Sequence, residues 1–369
     1  VAIAEQMHTP VPGKLVERQI TRIISAGTLA DLSLLNESEH NYIIACYKEK
    51  KTWGLACADH TTGELTVADY SSFEALADEI ARIQPREMLV SDEQKELFTK
   101  LPVTQFYDGY TFLPGVAVPF LESHFRVHSL AGFGCEGLIA APGAAAAILH
   151  YLKHQLRRST DHLRRISLRP TDHAVLIDTA SRANLDLVEA RGGMKNTLLG
   201  TLDGTSTPMG ARKMRDWILH PVCDLRELTR RQDLIAAFLS EAFLMSKLRD
   251  SLKGVRDMER LTSRLAQNAG NARDLLALGT SLARLPDIAT DLQVLAANQP
   301  YFEPLLKNLG DFGELTALLE RAIVDEPPIT IKEGGMMRDG YDARLDELRM
   351  ASREGKGWLA QLEARERAA

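Results

Sequence analysis

Four carboxylates, Asp59, Glu64, Asp69 and Asp92, stand on or just after apolar, strand-like runs. Metal-dependent nucleases use such carboxylates to hold two divalent cations about 4 Å apart. Asp59, however, opens the turn Asp59-His-Thr-Thr-Gly63, where Asp is favoured for turn chemistry alone. No spacing forces a second carboxylate onto its face, so the nuclease reading is the weaker one. Two histidine pairs, His150/His154 and His124/His128, are four residues apart. Zinc needs a third and usually a fourth ligand, and His150-Tyr-Leu-Lys-His154 lacks the Glu of HExxH. Surface histidines are the simpler reading. Gly132-Phe-Gly134-Cys-Glu-Gly137 fits GxGxxG. A dinucleotide site needs a helix opening on those glycines and an acid about 20 residues on. Here Pro142-Gly143 interrupts, and Arg157 and Arg158 stand where the acid belongs, so a loop is expected. No GxxxxGK[ST], GxSxG, HRD or CxxC occurs, and Gly355-Lys-Gly357 lacks the first glycine of a phosphate loop. Lys153, Arg157, Arg158, Arg164, Arg165 and Arg169 form a basic stretch that could touch phosphate, but the acidic total favours a solvated linker face. No catalytic, cofactor-binding or metal-ligating residue is assigned to this chain.

The elements around these residues belong to a chain of 369 residues, long enough for two to three domains. Its net charge of −6 argues against an extensive phosphate grip. Cys46, Cys57, Cys135 and Cys223 are far apart, which fits free thiols in a reducing cytoplasm. No apolar run reaches the ~18–20 residues that span a bilayer, and no signal peptide is present. Both ends read as cut: the first residues already look strand-like, and Gln361 to Ala369 is helix-forming sequence without a closing Gly, Asn or Pro.

Residues 1 to about 30 read as short strands, with a turn at Thr9-Pro-Val-Pro-Gly13 and a β-rich run at Gln19–Ile24. Tyr42–Tyr47, Trp53–Ala58 and Glu64–Ala68, joined by a Lys-Glu-Lys-Lys turn and by Thr62-Gly63, predict a three-stranded antiparallel meander. Phe73, Leu76, Ala77, Ile80 and Ile83 share a helical face, and Glu87–Val90 reads as a buried strand. This is the opening of an α/β layer domain. Residues 143–158 read as an Ala- and Leu-rich helix, and from about residue 179 almost everything is helical. Leu275, Leu278, Leu282 and Leu285 are spaced three, four, three. Tyr341, Leu345, Leu348, Ser352, Gly355, Leu359 and Leu362 make a heptad-like seam, which Gly355 and Gly357 weaken by roughly 1 kcal/mol each. A helix stop is expected at Lys253-Gly254, with Asp257 as the next N-cap.

Several stretches, in order, resemble the interior of a bacterial MutS-type DNA mismatch repair protein. Val1-Ala-Ile-Ala-Glu-Gln6 with Val16–Thr28 resembles the end of the mismatch-reading domain. Ser129-Leu-Ala-Gly-Phe-Gly134 and the helix after it resemble the end of the connector. Leu202-Asp-Gly-Thr-Ser-Thr-Pro-Met-Gly-Ala-Arg212, Trp217-Ile-Leu-His-Pro221, Arg231-Gln-Asp233, Asn271-Ala-Arg-Asp274 and Gly334–Asp342 resemble the core or lever domain. The resemblance implies an α/β plus all-α chain: residues 1–30 the remnant of the recognition domain, 31–160 an RNase H-like connector without nuclease activity, and 161–369 a long-helix core or lever domain. It also implies mismatched double-stranded DNA, a second copy of the protein and a MutL-type repair protein as partners, and ATP with Mg²⁺ as cofactors. The family's mismatch-wedging Phe-x-Glu, clamp, P-loop, Mg²⁺-holding acid and dimer element match no position of this sequence, so none of their residues carries over. A paralogue outside mismatch repair, a metal-dependent nuclease and a free-standing helical scaffold are the alternatives.

Overall fold

Short apolar runs within residues 42–70 build the central sheet, because successive side chains of a strand point to opposite faces and here both faces are buried. In the computed structural model, β3 (Tyr42–Glu49), β4 (Thr52–Asp59) and β5 (Glu64–Tyr70) form the expected meander. Residues 1–369 are described except 7–15, 17, 30–33, 170–174, 176 and 369, with only the backbone of 356–364 and 368. The turn expected at Thr9–Gly13 lies outside the described residues. The first hairpin connection is shorter than the sequence suggests: β3 runs through Glu49, leaving two residues before β4. β6 (Glu87–Ser91) joins β3 in parallel, β7 (Gln105–Tyr107) joins β6, and β8 (Ser167–Leu168) joins β5, giving the order β7-β6-β3-β4-β5-β8. The sheet therefore takes in residues 167–168, past the boundary expected at 160. A separate antiparallel pair, β1 (Ala2–Gln6) and β2 (Arg18–Ile23), precedes it.

Both faces of the sheet are covered, which is why its strands read as nearly continuous apolar runs. Ile44, Cys46, Leu55 and Cys57 face α1 (Phe73–Ile83) through Leu76 and Ile80. Ile43, Ala45, Tyr47, Ala56 and Ala58 face α2 (Pro114–Phe125) and α3 (Ala141–His150). Small side chains let α3 lie close to the sheet. A Cβ on Gly54 of β4 would land on the Ala140–Ala141 backbone, and one on Gly143 would land on the Phe112 carbonyl. The helix expected over 143–158 is shorter at its far end: α3 passes at Tyr151–Gln155 into one π-helical turn, and Arg157 adopts φ 53°.

The remaining helices are α4 (Thr179–Asn184), α5 (Leu198–Leu202), α6 (Pro208–Leu219), α7 (Leu225–Ser240), α8 (Ala242–Lys253), α9 (Met258–Ala266), α10 (Ala272–Leu282), α11 (Leu285–Ala296), α12 (Glu303–Asn308), α13 (Gly313–Ala322) and α14 (Ala343–Ala368). Gly254 ends α8, and the Asp257 side chain accepts from Arg260 N at the start of α9, as the sequence predicts. The leucine series 275–285 is divided: Leu275 packs against α13, whereas Leu285 opens α11, followed by Pro286, and packs with α7 and α8. The seam from Tyr341 starts before α14, and within it Leu345 is half-buried and Leu348 exposed. α14 stays helical through Gly355 and Gly357. No helix among the described residues is long and apolar enough to cross a membrane.

Because the obstacle at Gly54 is main chain, Gly54→Ala should lower unfolding stability by about 1–3 kcal/mol through overpacking. The shift of the urea midpoint checks this.

Candidate functional site

The four carboxylates all turn out to be structural clasps. Asp59 ends β4 fully buried. Its Oδ1 accepts from Thr61 N (2.9 Å) and Thr61 Oγ1 (2.6 Å), and its Oδ2 accepts from Asn41 N and lies against His40 Nδ1, both at 3.1 Å. Burial pushes the Asp59 carboxyl up, but His40, Thr61 and Asn41 outweigh it and hold the group well below the usual range. Glu64 sits opposite Asp59 in the ladder and accepts from Tyr42 Oη at 3.1 Å. Asp69 accepts from Ile139 N (2.5 Å) and Ala141 N (2.8 Å), where it caps the start of α3. Asp92 accepts from Gly109 N at 2.9 Å. Among the described residues, no three His, Cys, Asp or Glu side chains converge to hold a metal.

The other sequence candidates separate in the same way. His150 Nδ1 lies 2.7 Å from Tyr107 Oη with its ring beside that of His154, and His124 Nε2 lies 2.9 Å from Leu163 O. His128 falls beyond the end of α2 and is exposed. Gly134 and Gly137 take positive φ in a loop, four residues before the helix begins at Ala141. The basic stretch needs correcting. Lys153, Arg164 and Arg165 face solvent, but Arg158 is buried and donates to Thr28 O at 2.7 Å. Arg157 donates to Ile20 O, and Arg169 pairs with Glu79. A guanidinium on an apolar stem reaches interior carbonyls and carboxylates, so its position in a linker does not decide its solvation.

The structure instead concentrates polar chemistry where the sheet meets the helices. Glu79 of α1 is buried, and its carboxylate takes Arg82 from its own helix, Arg169 Nε (2.5 Å) from the segment after β8, and His220 Nε2 (3.3 Å) from the end of α6. Burial alone would raise Glu79, but His220, Arg169 and Arg82 hold it down to about 2. For His220 burial acts downward, and the Asp216 and Glu79 hydrogen bonds overcome it and raise the imidazole above its ordinary value. A second clasp grips the segment 36–39, just before β3. Arg260 of α9 donates to Asn36 O (3.1 Å) and Glu39 O (2.6 Å), and Arg212 of α6 donates to Glu37 O (3.0 Å). Arg212 also forks onto Asp257 (2.6 and 2.9 Å) and reaches Glu259 (2.6 Å). Gln267 Nε2 adds a third point at His60 O, 3.1 Å. Two clefts of about 990 and 710 Å³ flank the joint and share Arg169, Arg212, Asp216 and His220. A seam held by directional polar bonds beside open volume can pivot more readily than an apolar core.

The comparisons with known proteins fall on the two sides of this joint. MutS domain II matches residues 41–164, the sheet side, and MutS domain III matches 180–369, the helical side. The chain belongs to the MutS family. It is 38% identical to the DNA mismatch repair protein MutS of Halothermothrix orenii over 379 residues, covering 100% of this chain and 42% of that protein. It is 39% identical to the protein of the same name from Myxococcus xanthus, again covering 100% and 42%, and 37% identical to that from Symbiobacterium thermophilum, covering 100% and 43%. The chain thus spans about 42% of the length of the first two MutS proteins.

Of the joint residues, sequence reasoning singled out Arg169, as part of the basic stretch, and Asp257, as a helix N-cap, and gave neither a partner across the joint. The signal at Glu79 was weak, because it flanks the apolar face of α1 beside Ile83, where an acid ordinarily stays in solvent. Arg212 and His220 sit inside the MutS-like stretches, but nothing in the chain order pairs them with Asp257 or Glu79.

The raised His220 pKa gives a signed pH dependence. Its contribution is full below the ordinary value of 6.5 and is lost as pH rises through the folded value. Between pH 6.5 and 8.5 the urea midpoint of the native chain should fall, and in His220→Gln that fall should be reduced. Equal slopes in the two proteins would remove His220 from the joint.

Proposed function

We propose that this chain is the connecting body of a DNA mismatch repair protein, carrying a conformational signal between the part that meets mispaired DNA and a part that binds ATP. Its family membership and its MutS relatives support the repair role. The polar joint of Glu79, His220, Arg212 and Arg260 is the observation that supports coupling, because signal transmission needs rigid elements with more than one stable arrangement. The strand order β7-β6-β3-β4-β5-β8, with the antiparallel β4 between β3 and β5, supports an RNase H-like reading of the sheet side. The long α14 supports the lever reading of the helical side. A second copy and a MutL-type repair protein are the partners this reading brings with it.

The residues of this chain do not fit ATP with Mg²⁺. No GxxxxGK[ST] is present, and Gly355-Lys-Gly357 is wound into α14 instead of forming an anion-binding loop. This reading assigns no step of ATP chemistry to these residues. The nuclease alternative is weakened at its candidate metal-holding carboxylate, since both Asp59 oxygens are already engaged by His40, Asn41 and Thr61.

Two outcomes are expected. By itself the 369-residue chain should bind no ATP and should discriminate poorly between mismatched and paired duplexes, as equilibrium titrations with labelled nucleotide and DNA would read. Tight mismatch-specific binding would sink the connecting role. In a polypeptide that also contains the DNA-reading and ATP-binding parts, Arg260→Met strands the Asn36 and Glu39 carbonyls and should destabilise the joint by about 1–3 kcal/mol. Mismatch affinity without nucleotide should change little, while its response to ATP should weaken. An unaltered ATP response would exclude this joint as the route.

A further inference from the structure

The smaller of the two clefts, about 710 Å³, lies between the end of α1 and α6 and carries charge that the joint leaves unspent. Its lining holds twice as many guanidinium and ammonium groups as carboxylates. Some of that charge is taken. Arg212 is spent on Asp257 and Glu259, and Arg82 and Arg169 share the one carboxylate of Glu79. On the acid side, Asp216 is held by Lys213 (3.3 Å) and His220 (3.0 Å), and Glu189 accepts from Gln84 (2.7 Å). That leaves Glu39 to face both Arg86 (3.0 Å) and Arg215 (3.7 Å). Lys100, also in the lining, is exposed and has no ion pair among the described residues. A surplus of positive charge therefore remains here, in a chain whose net charge is −6. Arg215 shows it best. Its side chain is only 13% exposed. A guanidinium has five N–H donors, yet its one hydrogen bond among the described residues is a long one, to Gln84 Oε1 at 3.4 Å. Glu39 is beyond hydrogen-bond reach of it. A nearly buried guanidinium so poorly matched, opening on a cleft, calls for an acceptor with several oxygens.

We propose that this cleft binds a small phosphate monoester, with the phosphate between Arg215, Arg86 and Lys100. At neutral pH such a group carries a charge of about −1.5 to −2 and offers three acceptor oxygens. Guanidinium forks match those oxygens two at a time, and the Lys100 ammonium adds a point charge. The small surplus suits a dianion, and a nucleoside triphosphate would exceed it. Ile83, Pro85, Leu101 and Pro102 give the cleft an apolar wall for the organic part of the ester. The volume also falls in the range usual for small-ligand sites, about 300–1,000 Å³. Arg86 and Lys100 belong to the sheet side and Arg215 to α6, so a bound ester would tie the two sides of the joint together. Binding requires this geometry alone and not the connecting role.

Calorimetric titration with phenyl phosphate tests this in the natural polypeptide that contains residues 1–369, with Mg²⁺-ADP present to fill any nucleotide site outside them. Phenyl phosphate should bind with a Kd below about 1 mM, more tightly than inorganic phosphate, and more weakly as salt rises. Arg215→Gln should weaken binding at least about 10-fold, as the loss of charge-assisted hydrogen bonds requires. Lys100→Gln, at an exposed position, should weaken it about 3-fold. Lys253→Gln removes the same charge at the exposed end of α8 and should leave binding unchanged. Where Arg215→Gln does not fold, Lys100→Gln carries the comparison, because an exposed side chain outside any ion pair can be replaced without disturbing the fold. No binding in the millimolar range would overturn the proposal. So would equal affinity in the native protein, Arg215→Gln and Lys100→Gln, or an equal loss in Lys253→Gln, which would assign the effect to net charge. Equal affinity for inorganic phosphate would overturn the assignment of an ester.

Discussion

A carboxylate withdrawn from water must be neutralised by charges and hydrogen bonds, or the surrounding structure cannot hold it. Glu79 is such a group, and its three partners come from three separate places: Arg82 from its own helix, Arg169 from the segment that follows β8, and His220 from the end of α6. Burying the carboxylate therefore requires that the sheet, the crossing segment and the first long helix of the helical side arrive together. Losing one partner of a buried pair commonly costs about 3–5 kcal/mol, so this cluster fixes a relative position that apolar contact alone would leave less defined.

The second clasp works by a different rule. Arg260 is buried and directs its donors to the backbone carbonyls of Asn36 and Glu39, and the nearest acid, Asp257, holds Arg212 in a two-pronged bond. Burial accordingly lowers Arg260, whereas the fork onto Asp257 and Glu259 raises Arg212 against its own desolvation. Backbone carbonyls fix geometry with little dependence on the side chain at that position. The segment 36–39 is thus gripped by its main chain. Around these bonds the interior divides into separate apolar clusters, two on the faces of the sheet and three among the helices. The joint between them is polar. Directional bonds hold one arrangement firmly, yet they can be exchanged without exposing a core.

The sequence by itself determined much of the local architecture. Short apolar runs at 42–47, 53–58 and 64–68, separated by turn signals, pointed to the meander, and the helical face that includes Leu76 and Ile80 pointed to α1. Gly254 and Asp257 marked a helix end and a helix start by local hydrogen bonding. The loop reading of Gly132–Gly137 rested on the same kind of local evidence, and so did the order of the MutS-like stretches. Tertiary structure alone decided the rest. It turned Arg158 and Arg169 of the basic stretch inward, drew Asp69 onto the start of α3, divided the leucine series between two cores, and brought Glu79 to His220 across 141 positions of chain. Local patterns report which residues share a face of one element. The partner of a buried charge is set by how several elements close around it, and that distance in space has no counterpart in the spacing of residues along the chain.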